Sequence, residues 1–222
     1  MPVLRIALEG MKYLVSLVLT LATLTACAKH KPPPSNTVTP TPTAGGALAA
    51  RGADPYTRAD VHFLAGMIGH HAQAIQMAGW APSHGASPSI SALCERIVVA
   101  QNDEIAFAQR WLREHGEHVP PADPRGHVMQ GMDHPMLMPG MLTPEQMAQL
   151  DAARGPEFDR LFLTFMIQHH QGAITMVEQL LAVPGAAENG PINRFATDVH
   201  VDQTTEINFM NLMLADLKRS SQ

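Results

Sequence analysis

Two adjacent histidine pairs, His70-His71 and His169-His170, carry the chemistry that this chain could perform. Neutral imidazoles present nitrogen lone pairs that suit copper, zinc and iron. Each pair lies inside a longer matched block. Asp60, Phe63, Met67, Ile68, His70, His71, Ala74, Ile75 and Met77 return at one constant offset as Asp159, Phe162, Met166, Ile167, His169, His170, Ala173, Ile174 and Met176. Further on, Gln101, Glu104 and Ile105 are matched by Gln203, Glu206 and Ile207. Two matched blocks in the same order mark an internal duplication, each copy being a helix, a loop and a second helix.

Helical spacing sets what these residues can reach. At about 100° per residue, each histidine pair flanks the centre of the apolar stripe of its own helix. Glu104 falls in the middle of an apolar face made by Ile90, Leu93, Ile97, Ala100, Ala108 and Trp111, and Glu206 in one made by Ile192, Phe195, Val199, Met210 and Met213. A buried carboxylate must be protonated, paired or bound to a metal. The expected metal site is therefore His70, His71 and Glu104 with His169, His170 and Glu206, outer hydrogen bonds coming from Asp60, Asp159, Gln101 and Gln203. Met67, Met77, Met166 and Met176 are thioether candidates, although methionine at helical spacing also serves as core filler. The competing account is a Glu–His network that only fixes the packing.

A second candidate site lies between the copies. His115, His118, His127 and His134 accompany Met129, Met132, Met136, Met138 and Met141, in a stretch that Pro120, Pro121, Pro124, Pro135 and Pro139 keep from being helical. Thioether sulfur suits Cu(I), and imidazole suits Cu(II), zinc and iron. The alternative is a loop that closes over the bundle with its methionines buried.

The elements that must position these groups are legible from their ends. Thr57 with Asp60 starts a helix that runs to about Trp80, and Ser87 before Pro88 starts one that ends near Gly116. Thr143-Pro-Glu-Gln146 is a capping-box pattern before a short helix ending near Arg154. Pro156 opens a long helix to about Leu181, and Asn189 with Pro191 opens the last, to about Lys218. The expected fold is all-α: a four-helix bundle from two duplicated helical hairpins, with a Met/His-rich crossover loop and a short extra helix.

The N-terminal region reads as export. Lys12 precedes an apolar run ending in Leu24-Thr25-Ala26-Cys27, the pattern of a secretory signal. The Leu-x-Ala-Cys ending resembles the lipobox of bacterial lipoproteins, which makes Cys27 the expected lipidation site. Residues 1–27 are then a signal peptide, 28–54 a Pro/Thr-rich tether, and 55–219 the helical domain. The expected location is the cell membrane or outer membrane, facing the periplasm or exterior. Cys94 is left as a buried apolar residue. The formal net charge of −5 gives no basic field for nucleic acid.

The run Phe158-Asp159-Arg160-Leu161-Phe162 followed by Met166-Ile167-Gln168-His169-His170-Gln171-Gly172-Ala173 resembles the ferritin-like family known as domain of unknown function 305, as does Gly140-Met141-Leu142-Thr143-Pro144-Glu145-Gln146-Met147 before it. The resemblance covers roughly residues 56 to 217. It implies a ferritin-like bundle in secreted or envelope proteins, some linked to copper binding, with no known reaction. The family pattern carries over to His70, His71, Met67, Met77 and Glu104, and to His169, His170, Met166, Met176 and Glu206. The first copy departs from it at Gly69, His84 and Gly85.

Together these features point to an envelope metal-binding lipoprotein, with copper as the first candidate cargo and zinc or iron as alternatives. Its task would be sequestration, or handover to copper-handling envelope proteins. One alternative is a ferritin-like metal-dependent oxidoreductase acting on peroxide or oxygen. The Glu-x-x-His motif of di-iron bundles is missing, which weighs against that metal. A metal-free interaction module is the third reading.

Overall fold

The computed structural model describes residues 55–126 and 137–220. They form five helices: α1 (Arg58–Gly79), α2 (Pro88–Glu114), α3 (Pro144–Ala152), α4 (Pro156–Leu181) and α5 (Gly190–Ser220). Thr57 and Asp60 make a reciprocal capping box at the start of α1, and Thr143 and Gln146 make another at α3. Pro88, Pro144 and Pro156 each open a helix, where a missing N–H costs nothing. The expected elements are all present, and the ends differ by a residue or two.

Helices α1 and α2 form one hairpin and α4 and α5 the other, joined along α1 and α4. The apolar core divides in two. At one end, Phe63, Leu64 and Met67 of α1 and Ile105 and Leu112 of α2 pack with Met176 and Leu180 of α4 and Phe195 and Val199 of α5. At the other, Met77 and Ala78 pack with Leu93, Ile97, Phe158, Phe162, Met166 and Met210. The first half of α1 thus meets the second half of α4, so the two helices are antiparallel. Both histidine pairs fall between the clusters, in a polar waist.

Two sequence expectations need correction. Asp60 and Asp159 do not support the histidines. Asp60 accepts the Ala187 N–H at 2.8 Å, and Asp159 accepts the Ser87 N–H at 3.2 and 3.3 Å. Each aspartate therefore ties its helix to the loop of the other hairpin. It stands ten residues before its His pair, about 15 Å along the axis, too far for a direct contact. Ala100 is exposed rather than part of the α2 core face, because that flank of the stripe opens onto a groove between α2 and α5.

The described parts of the crossover, up to residue 126 and from residue 137, lie against α1 and α4 and are fastened there. Gln73 donates to the carbonyls of Pro124 and Leu142, both at 3.1 Å, and accepts the Leu142 N–H at 2.7 Å. Gln168 donates to the Gly140 carbonyl at 3.3 Å. Gly140 has φ +75°, and it crosses so close to Gly172 that a Cβ on Gly172 would collide with the Pro139 carbonyl. The chain can pass over α4 at this point because both residues are glycine.

Candidate metal centre

The waist is built from side chains that four helices deliver at one level. His70, His71, His169 and His170 are each 0% exposed. The rings of His70 and His169 come from opposite hairpins and meet at a centroid distance of 3.9 Å. His70 and His71 are 6.0 Å apart by the same measure, and His169 and His170 6.3 Å. The result is a row of imidazoles across the bundle.

Hydrogen bonds fix which nitrogens are available. His70 Nε2 donates to the Pro139 carbonyl at 3.0 Å. A carbonyl can only accept, so the proton sits on Nε2, and Nδ1 of the neutral ring carries its lone pair inward. His170 Nε2 donates to Glu206 at 2.6 Å, the carboxylate–histidine pairing that orients an imidazole for a metal. His71 Nε2 lies 3.0 Å from Glu104, but the approach is off the angles of a hydrogen bond. Neither nitrogen of His169 makes a well-aligned hydrogen bond, although the His70 backbone lies close enough to favour the charged ring slightly. In total six ring nitrogens of these four residues are buried without a well-aligned hydrogen bond: Nδ1 of all four, and Nε2 of His71 and His169. Buried polar atoms are normally satisfied, so such a concentration calls for an explanation.

Burial pushes the His70 pKa down to about 3, and the neighbouring His71 adds to the effect. His169 is held well below the usual histidine range by burial first, then by His70, His170 and His71. Both rings are therefore neutral near pH 7, the form that binds a metal.

Glu104 and Glu206 sit where the sequence brings them along the chain, each beside the second histidine of its own copy. They are not in the middle of a sealed apolar face, however. Their side chains are 17% and 24% exposed, because α2 and α5 part at this level. Gln101 and Gln203 hold the sealed positions, and both Gln101 amide atoms and Gln203 Oε1 are unpartnered. Among the described residues, no three His, Cys, Asp or Glu groups converge as a closed metal cage. The donors form a row whose outer rings, His71 and His170, lie beside Glu104 and Glu206, while the Pro139 carbonyl holds the inner ring of His70. The donor set itself, neutral buried imidazoles backed by a carboxylate, fits a first-row metal ion.

The methionines are distributed by packing. Met67, Met77 and Met166 are fully buried in the apolar clusters. Met176 also borders a surface pocket of about 180 Å³ with Met138 and His62. Both thioether methyls approach Gly66, where a Cβ would lie 2.6 Å from Met138 Cε and 3.3 Å from Met176 Cε. His62 escapes notice in the sequence, although it stands one turn before Gly66 on the same face. Of the crossover candidates, Met141 is buried and its sulfur accepts the Met138 N–H at 3.3 Å. Met141 thus follows the alternative of buried loop methionines, absorbed by the core where Gln73 pins Leu142. His115 donates from Nδ1 to the Trp111 carbonyl at 2.7 Å and stacks on that indole, closing the end of α2. His118 is exposed. Cys27, His127, Met129, Met132, His134 and Met136 lie outside the described residues. Cys94 is buried and free, its thiol pushed up to about 12 by burial.

Solved structures share this architecture. A DUF305 protein from Streptomyces coelicolor superposes with a TM-score of 0.61 at 26% identity, covering 72% of this chain and 94% of that one. CopM in its Cu(I)-bound form gives a TM-score of 0.54 at 25% identity, covering 71% of this chain and 96% of its own. CopM in its Cu(II)-bound form gives 0.55 at 26% identity over the same shares. No curated protein sequence matches the chain. The family profile of the domain of unknown function 305 matches residues 60–214, and with that match, over the whole duplicated unit, the chain belongs to the DUF305 family.

Proposed function

We propose that this protein binds copper at its imidazole waist and holds it at the bacterial envelope for sequestration or handover. The observation that carries the reading is the set of six buried ring nitrogens without a well-aligned hydrogen bond, on four histidines contributed by both hairpins. A network that only fixed the packing would pair these atoms with one another or with the glutamines. A bound cation would use them. The similarity to CopM, which occurs in Cu(I)- and Cu(II)-bound forms, supports copper over zinc or iron.

Two ligand types divide the work. Imidazole nitrogen suits Cu(II), and the thioethers of Met138 and Met176 beside His62 suit Cu(I). Lipidation at Cys27, with residues 28–54 as a tether, would hold the domain at the membrane. The partners would be envelope proteins that deliver or accept the metal.

Chelator-competition titrations test the reading. In the variant with His70, His71, His169 and His170 all changed to Gln, the high-affinity Cu(II) site is expected to vanish, circular dichroism reporting that the helices persist. Changing Met138 and Met176 to Leu is expected to weaken Cu(I) uptake and leave Cu(II) affinity near wild type. Wild-type affinity for both oxidation states in a folded quadruple variant would make the histidines packing residues and end the proposal.

A further inference from the structure

Access to the waist is unequal on its two sides. On the α1–α4 side, Pro139 and Gly140 of the crossover press on His70 and Gly172. Across the bundle, α2 and α5 leave a groove of about 430 Å³. Its walls carry Asp103 and Glu104 from α2, and Asp198 and Asp202 from α5, against the single guanidinium of Arg194.

One of these carboxylates, Glu104, links the groove to the buried donors. Glu104 reaches His71 at 3.0 Å, and Glu206, one turn beyond Asp202 on α5, reaches His170 at 2.6 Å. One residue along α2 and α5 from the groove-lining Ala100 and Asp202, both Gln101 amide atoms and Gln203 Oε1 are buried without a hydrogen-bond partner, and His71 Nε2 has Glu104 beside it. Asp202 feels the field of the group: burial, then Glu104, Asp198 and Glu206, raise its pKa. The duplication did not supply this residue. Gln101 aligns with Gln203, so Asp202 aligns with Ala100, which lines the same groove from the other wall. A bundle stabilised by packing alone gains nothing from a fourth carboxylate facing three others, since like charges repel.

We propose that the α2–α5 groove is the mouth through which a hydrated divalent cation, Cu(II) in the first instance, reaches the imidazole row, with Asp202 as its steering carboxylate. This rests on the copper reading above. A cleft lined by one sign of charge concentrates the opposite ion and raises its on-rate by about tenfold or more. Carboxylate oxygens receive the aqua ion, and imidazole nitrogens, the better ligands for copper, then take it inward.

Stopped-flow quenching of tryptophan fluorescence by aqueous Cu(II), in a non-coordinating buffer, tests the mouth. Asp202→Asn is expected to slow the second-order on-rate about threefold or more at low ionic strength, with the gap closing in concentrated salt. Equilibrium affinity is expected to change much less. Glu178→Gln, an exposed carboxylate elsewhere on α4, is expected to bind at the wild-type rate. A wild-type on-rate in Asp202→Asn, or equal slowing in Glu178→Gln, overturns the mouth and leaves the copper reading standing. A wild-type protein without saturable Cu(II) binding overturns both.

Discussion

In the first hairpin His70 donates to a crossover carbonyl at 3.0 Å, and His71 faces Glu104 outside hydrogen-bond angles. In the second, His169 makes no well-aligned hydrogen bond, and His170 is held by Glu206 at 2.6 Å. The residues are the same and their use is different. The asymmetry comes from the one segment that has no duplicate. The crossover passes over both copies, but it rests loosely on Gly69 and is pressed against Gly172. The duplication thus sets which donors reach the waist, and the crossover ties up one of them, His70.

Acidification of metal-free protein is expected to give the largest effect. Folded His70 and His169 are neutral with depressed pKa values, whereas in the unfolded chain histidine titrates near ~6.5. Below that point the unfolded state binds more protons, so stability falls as pH falls, from about 6.5 toward the folded value. The stabilisation is fully present above this window. Each ring should contribute a slope of about 1.4 kcal/mol per pH unit. Urea unfolding of chelator-stripped protein across this range measures it. His70→Gln and His169→Gln should each remove about one proton's worth of the slope. If neither did, the two copies would not share a neutral waist.

The crossover contrast is next in size. Gly172→Ala drives a methyl into the Pro139 carbonyl and the Gly140 Cα. It is expected to cost about 3 kcal/mol despite the helix propensity gained. Gly69→Ala meets only ordinary contacts, 3.4 Å from the Asp123 carbonyl oxygen. There the propensity term should dominate and stabilise by up to ~1 kcal/mol. Equal costs at the two sites would erase the asymmetry.

The loop ties should differ by less. Asp60 closes a capping box and also holds Ala187, whereas Asp159 holds only Ser87. Asp60→Ala is expected to lose about 2 kcal/mol and Asp159→Ala about 1 kcal/mol, by the same unfolding assay.

Much of the fold was legible because helix ends are written locally. Thr57, Thr143 and the prolines at 88, 144 and 156 mark starts that hydrogen-bond chemistry enforces, and the repeat pairs the hairpins. The level of the histidines was legible too, since helical spacing fixes their face. Three features depend on which segments pass beside which. The Pro139 carbonyl opposite His70 needs the crossover path. The partial exposure of Glu104 and Glu206 needs the parting of α2 and α5. The roles of Asp60 and Asp159 need the other hairpin's loop, which no pattern within one helix can reveal. Asp202 left a faint signal, as a carboxylate where the other copy has Ala100.

The central claim is that imidazoles of the waist hold copper. X-ray absorption at the copper edge, on protein loaded with one equivalent of Cu(II), tests it most directly. A nitrogen and oxygen shell with the outer scattering of at least two imidazole rings is expected, lost in the folded variant that replaces all four waist histidines with Gln. A spectrum without imidazole scattering, or one unchanged in that variant, would contradict it.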